Sequence, residues 1–86
     1  MTETNITKEK MDKIYKQIGL NVKRLREEKG LSQLALSISI GHKAVGTVSM
    51  AELCINKKHF NIEHLVKIAS VLNVEVSEFF KGIELQ

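Results

Sequence analysis

His42, His59, His64 and Cys54 are the side chains of this 86-residue chain best suited to holding a metal or attacking a substrate, and their placement serves neither purpose. The histidines are scattered, no two stand four residues apart on one helix face, and there is no second thiol, so no metal site is expected. Cys54 has no base near it in sequence and lies in an aliphatic run, which reads as a small buried hydrophobe. No nucleophile pattern, paired carboxylates or glycine-rich phosphate loop occurs. An enzyme is therefore not expected, and neither is a cofactor. What remains is attraction by charge. Asn56-Lys57-Lys58-His59 is a compact polar loop and the best electrostatic candidate for meeting an anion, with the imidazoles at the surface or beside a phosphate.

The stretch that must position this loop is LSQLALSISIGHKAVGTVSMAELC, residues 31 to 54, which reads as two short helices around a glycine-containing turn: a helix-turn-helix. Ser32 is placed to cap the first by accepting from a backbone N–H, with Leu31 packing on Leu36 as a staple. Leu36 and Ile40 share a face, and Gly41 supplies the positive φ that closes a helix cheaply. The second helix restarts near Ala44. Val48, Ala51 and Ile55 give its apolar stripe, leaving Lys43, Thr47 and Met50 outward.

Composition supports helices. Hydrophobic residues make up 43% of the chain, with no Pro, no Trp and only four aromatics, which suits aliphatic helix packing better than a β-sandwich. The expected fold is all-α, a five-helix bundle containing the helix-turn-helix, with residues 1–9 as a disordered tail, 10–82 as one domain and 83–86 as a second tail. One cysteine allows no internal disulfide, and no leader or long apolar run is present, so the expectation is a cytoplasmic protein without a membrane segment. The net charge of +3 permits nucleic-acid binding without establishing it. Residues 1–30 hold eight Lys/Arg against five acids and residues 31–86 five of each, so the first helix carries the whole excess.

Ile14, Ile18, Val22 and Leu25 recur at spacings of four, four and three, one face of a helix running from about Lys10 to Gly30. Lys16, Lys23 and Lys29 then face solvent, and Leu20 lies almost opposite the stripe, either singly exposed or in a subunit contact. Asn61 reads as an N-cap, with Phe60 folding onto Leu65. Ile62, Leu65, Ile68, Ala69 and Leu72 form the core face of the helix that follows, and Asn73 closes it in the left-handed conformation. Phe79 is expected in the bundle. Phe80, Ile83 and Leu85 are candidates for a dimer seam.

Several of these segments resemble the Cro and phage-repressor (XRE-like) helix-turn-helix family: IGLNVKRLREEKGLSQ its first helix and Leu-Ser/Thr-Gln signature, Val48-Ser49-Met50-Ala51-Glu52 the end of its recognition helix, and FNIEHLVKIASVLNVEVSEFF its last two helices. The resemblance spans roughly Ile18 to Gly82, with about one extra residue in the turn and two before Asn61. It implies a dimeric regulator of double-stranded DNA, taking no small-molecule substrate, with contacts from Ser32, Gln33, His42, Lys43, Ala44, Val45, Gly46, Thr47, Ser49, Met50, Lys57 and Lys58. It implies that Gln33 meets phosphate or a base edge. It also implies an ion pair between Arg26 and Glu52. Where many relatives place Arg, Gln or Asn to read bases, this chain has Val45, Gly46, Thr47 and Met50, so readout would lean on thymine methyls and shape. An apolar third helix equally suits a protein-protein interaction module. A different register, with three residues inserted in the turn, would instead bury Val45, Met50 and Leu53 and put Cys54 in place of Glu52.

Overall fold

Thr7 opens the first helix: its hydroxyl accepts from the Lys10 N–H at 3.1 Å, and α1 runs Lys8–Glu28 in the computed structural model, which describes residues 5–41 and 46–84. The cap starts the helix two residues before the apolar repeat indicates, so Lys8 and Glu9 belong to α1 rather than to a tail. Gly30 takes a φ of 73° just past its end. Next come α2 (Gln33–Ser39) and α3 (Gly46–Leu53), with α2 capped by Ser32, whose hydroxyl accepts from the Ala35 N–H at 3.0 Å. A 3₁₀ turn (Ile55–Lys57) leads to α4 (Ile62–Leu72). At its start the Asn61 side chain accepts from the His64 N–H, and the His64 ring accepts from the Asn61 N–H, a reciprocal capping box. Asn73 ends α4 with a φ of 55°, as its residue type led us to expect.

The only regular elements among the described residues are helices, with no strand, but the fifth helix is not α-helical. Val76–Phe80 forms a 3₁₀ turn whose N-cap, Glu75, makes no side-chain cap bond. A five-residue segment confined between the turn at Asn73 and the positive φ of Gly82 is too short to recover the cost of nucleating an α-helix, so the tighter 3₁₀ form results. Four α-helices carry the fold.

Val22, Leu36, Val48, Ile68 and Phe79 are wholly buried at the centre, with Ile18, Leu25, Ile40, Ala51, Phe60, Leu65 and Leu72 around them. Three expected core or seam positions fall elsewhere. Ile55 is exposed because α3 stops at Leu53 and Cys54 turns left-handed before the stripe can continue. Ile62 is 69% exposed: as the first residue of α4 its Cα–Cβ bond tilts toward the helix N-terminus and off the end of the core. Ile83, expected in a tail, packs partly against the core. Leu85 lies outside the described residues.

Two buried groups on α1 organise the packing. Asn21 donates through Nδ2 to the carbonyls of Phe79 (2.9 Å) and Lys81 (2.8 Å) and accepts from Gln17 Nε2 (3.1 Å), which stitches α1 to the C-terminal turn. Gly19 lets α1 approach the last turn of α3: a Cβ there would stand 2.8 Å from the Ala51 carbonyl oxygen and closer still to that of Glu52. Backbone cannot move aside as a side chain can. Gly19→Ala is therefore expected to destabilise the fold by about 1–3 kcal/mol despite alanine's better helix propensity; urea unfolding with a midpoint at or above that of the parent would show that the helices slide apart freely.

Candidate nucleic-acid interface

The inner side of α3 is held by charge as well as by packing. Glu52 is fully buried, and the Arg26 guanidinium is 6% exposed as a residue. Arg26 donates from Nε to Glu52 Oε2 at 2.7 Å and from Nη2 to Oε1 at 3.2 Å, a two-point pair that matches the planar fork to the carboxylate. Its third nitrogen, Nη1, donates to the Leu31 carbonyl at 2.7 Å. Gln33 Nε2 donates to Glu52 Oε1 at 3.0 Å. One buried carboxylate thus ties α1, the α1–α2 connection, α2 and α3 together.

This geometry fixes the register of α3. Val48, Ala51 and Glu52 face the core, Cys54 does not occupy the glutamate's place, and Met50 and Leu53 are not the buried stripe. At about 100° per residue, Gly46, Met50 and Leu53 lie on the side opposite Val48, with Thr47 and Ser49 on the flanks. Leu53 is 49% exposed, while Gly46, Thr47, Ser49 and Met50 are half-buried. The Ser49 hydroxyl donates back to the Gly46 carbonyl at 3.2 Å. His42, Lys43, Ala44 and Val45 lie outside the described residues.

Gln33 meets a partner that sequence reasoning did not weigh, since its amide nitrogen is engaged by Glu52. Ser32 spends its hydroxyl on the α2 cap. Lys57 and Lys58 are both exposed in the turn after α3, where Cys54, Asn56 and Lys57 have φ of 55°, 54° and 62°. His59 in the same turn stacks on Tyr15 of α1, ring centroids 3.7 Å apart and planes 12° from parallel. Cys54 is half-buried rather than a core residue. Burial pushes its thiol above the ordinary range, with Lys16 opposing and Asp12 adding to the rise, so it stays protonated at neutral pH. His64 proves to be a helix-capping residue. Among the described residues no cluster of His, Cys, Asp and Glu is disposed to hold a metal.

A buried, doubly bonded Arg–Glu pair behind a short helix with a polar loop at its end is the arrangement that the sequence resemblance implied, and a helix-turn-helix family model (HTH_3) matches residues 22–79. The chain belongs to this XRE-type helix-turn-helix family. Solved structures agree. The restriction-modification controller protein C.AhdI from Aeromonas hydrophila is 27% identical, with 77% of this chain and 96% of that one covered and a TM-score of 0.67. The N-terminal DNA-binding domain of SinR from Bacillus subtilis is 30% identical over 79% of this chain and 97% of that one, with a TM-score of 0.66. SinR in complex with DNA is 31% identical over 72% of this chain and 95% of that one, with a TM-score of 0.61. No curated protein sequence matches the chain.

In this family member the pair is a clean target. Arg26→Leu strands the Glu52 carboxylate with only Gln33 as a donor and is expected to cost about 3–5 kcal/mol, whereas a double replacement of Arg26 and Glu52 by apolar residues costs far less. A double-mutant cycle in which the two losses simply add would show that the residues are not coupled.

Proposed function

We propose that this chain is a DNA-binding transcriptional regulator that acts as a homodimer, reading a roughly palindromic site with one α3 in the major groove at each half-site. The observation that carries the reading is the Glu52 clamp. It grips α3 by its inner side and leaves the Gly46, Met50 and Leu53 side for a partner. The named similar proteins support it: one is a restriction-modification controller and another is described in complex with DNA.

None of the described α3 residues carries the Arg, Gln or Asn that reads a base through paired hydrogen bonds, so selectivity comes from thymine methyls against Met50 and Thr47 and from DNA shape. The remaining DNA contacts we assign to Ser32, Gln33, His42, Lys43, Ala44, Val45 and Ser49. Lys57 and Lys58 sit on phosphates, supplying affinity without sequence information. Leu20 and Phe80, 42% and 40% exposed, are the residues for the subunit seam. No helix among the described residues is long and apolar enough to cross a membrane. We place the protein in the cytoplasm with its DNA.

Lys57→Ala with Lys58→Ala is expected to weaken binding to specific and random duplexes about equally, and to make the fall of log affinity with log salt shallower by about one per lysine. Unchanged affinity in a low-salt titration would remove the loop from the interface. A dimer places two α3 helices about one turn of DNA, roughly 34 Å, apart. Sedimentation that finds a monomer at high micromolar concentration, and one protein per site on DNA, would contradict it. A salt-independent affinity for a protein ligand, with no DNA binding, would favour the interaction-module reading.

A further inference from the structure

The N-terminal part of α1, residues 8–21, precedes the region that the family model matches, and it forms one wall of a cleft whose other wall is the turn after α3. The cleft has a volume of about 580 Å³. Lys8 and Lys16 line it from α1, and Lys57 and Lys58 from the turn, with Asp12 the one carboxylate among them. Four cations outside the cleft are paired, Arg24 with Glu28, Arg26 with Glu52, Lys67 with Glu63 and Lys81 with Glu78, while Lys13, Lys23 and Lys29 are in no ion pair among the described residues but are spread along α1 and its end rather than gathered around one cleft. None of the four cleft lysines is in an ion pair among the described residues. The basic excess of the first thirty residues is thus partly gathered here, facing the two lysines of the turn.

Two further features bear on what the cleft takes. It is continuous with the outer side of α3, because Leu53, three residues after Met50 on that side, lines it. The stacked rings of Tyr15 and His59 join its two walls and hold their spacing. Lys8 and Lys16 are eight residues apart on α1, about 12 Å along the helix axis. A strand winds obliquely about the axis, so its phosphates lie about twice the 3.4 Å axial spacing apart, and such a wall faces two or three in succession.

We propose that this cleft is a trough for the sugar-phosphate backbone of DNA, so that the N-terminal extension of α1 grips the strand beside the site that α3 reads. The inference rests on the DNA-binding reading above and adds to it a second wall of phosphate contacts. Lysines suit it: as point charges they neutralise phosphates without demanding a base sequence. Asp12 works against it, lowering the positive potential between Lys8 and Lys16.

The test uses the whole chain with three variants, Lys8→Gln with Lys16→Gln and Asp12→Asn at exposed positions, and Lys23→Gln, half-buried and away from the cleft, as a control. Affinity for a duplex carrying the selected site and for a random duplex is followed across a salt series. The double lysine variant is expected to lose affinity equally on both duplexes and to flatten the salt slope by about two in all. It should also lose protection of the flanking phosphates in an ethylation-interference footprint. Asp12→Asn is expected to tighten binding about two-fold, the size of one screened charge contact. Lys23→Gln should change neither. A parent protein with a steep salt slope and a double variant with the same slope would overturn the trough while leaving the DNA reading intact. A parent that binds no DNA would overturn both. Pyrophosphate perturbing the NMR signals of Lys16 and His59, with DNA affinity unmoved by the lysine changes, would overturn the trough in favour of a small-anion site.

Discussion

A buried carboxylate is an expensive thing to put in a core, and the helix-turn-helix here is built around one. Taking Glu52 and Arg26 out of water costs several kcal/mol for each ion, and their attraction offsets that only if the remaining lone pairs and protons find partners. They do: the carboxylate accepts two bonds from Arg26 and one from Gln33, and the guanidinium spends its third nitrogen on the Leu31 carbonyl. No buried side-chain polar atom among the described residues is left without a partner. Apolar residues of the same volume would give comparable stability. What they would not give is a single rotational setting of α3, because oil-like contacts tolerate slippage that a forked pair does not.

One anchored point fixes where a helix sits but not which way it points. The second point is Gly19, seven residues before Arg26 and therefore two turns away on the same side of α1. There the missing Cβ lets the carbonyls at the end of α3 come down onto α1. Asn21, on the next part of the same helix, binds the C-terminal turn instead. α1 is consequently the beam of the molecule: it holds α3 at two places and the last turn at a third, and the long-range order of the fold is written along about 10 Å of one helix, from Gly19 to Arg26.

Much of this was legible in the residues. Ser32 and Asn61 before apolar repeats mark helix starts, Gly30, Gly41 and Asn73 mark stops, and the Arg26–Glu52 pair follows from the family resemblance and holds at 2.7 Å. What the chain did not disclose has a common physical origin in through-space partners. Gln33 invites a role at the helix mouth, and only the fold shows Glu52 within its reach. Asn21 sits in a helical repeat like any surface polar residue, while its partners are some sixty positions away at Phe79 and Lys81. His64 is ambiguous until its ring is seen accepting from Asn61. Gly19 did carry a signal, as a lone glycine inside a strong helix pattern marks a close approach, and that signal went unread. Ile55 and Ile62 mislead for a simpler reason: periodicity assigns a face without knowing where the helix ends.

The turn after α3 shows what the clamp imposes on its neighbours. With α3 pinned at Glu52 and α4 capped at Asn61, the eight residues between must reverse the chain in a route they did not choose, and they do it with Cys54, Asn56 and Lys57 all left-handed. For residues other than glycine that conformation costs on the order of 1–2 kcal/mol each, least for asparagine. Strain of this size persists only where the surroundings over-determine it. Here they do, through the Tyr15–His59 stack that ties the turn to α1 and through Phe60, which is buried immediately after it. Glycine at these positions would relieve the backbone and take the cation at position 57 away with it. The turn therefore keeps a costly backbone together with two exposed lysines, and the rigidity that makes the strain tolerable is the same rigidity that holds those charges in place opposite Lys8 and Lys16.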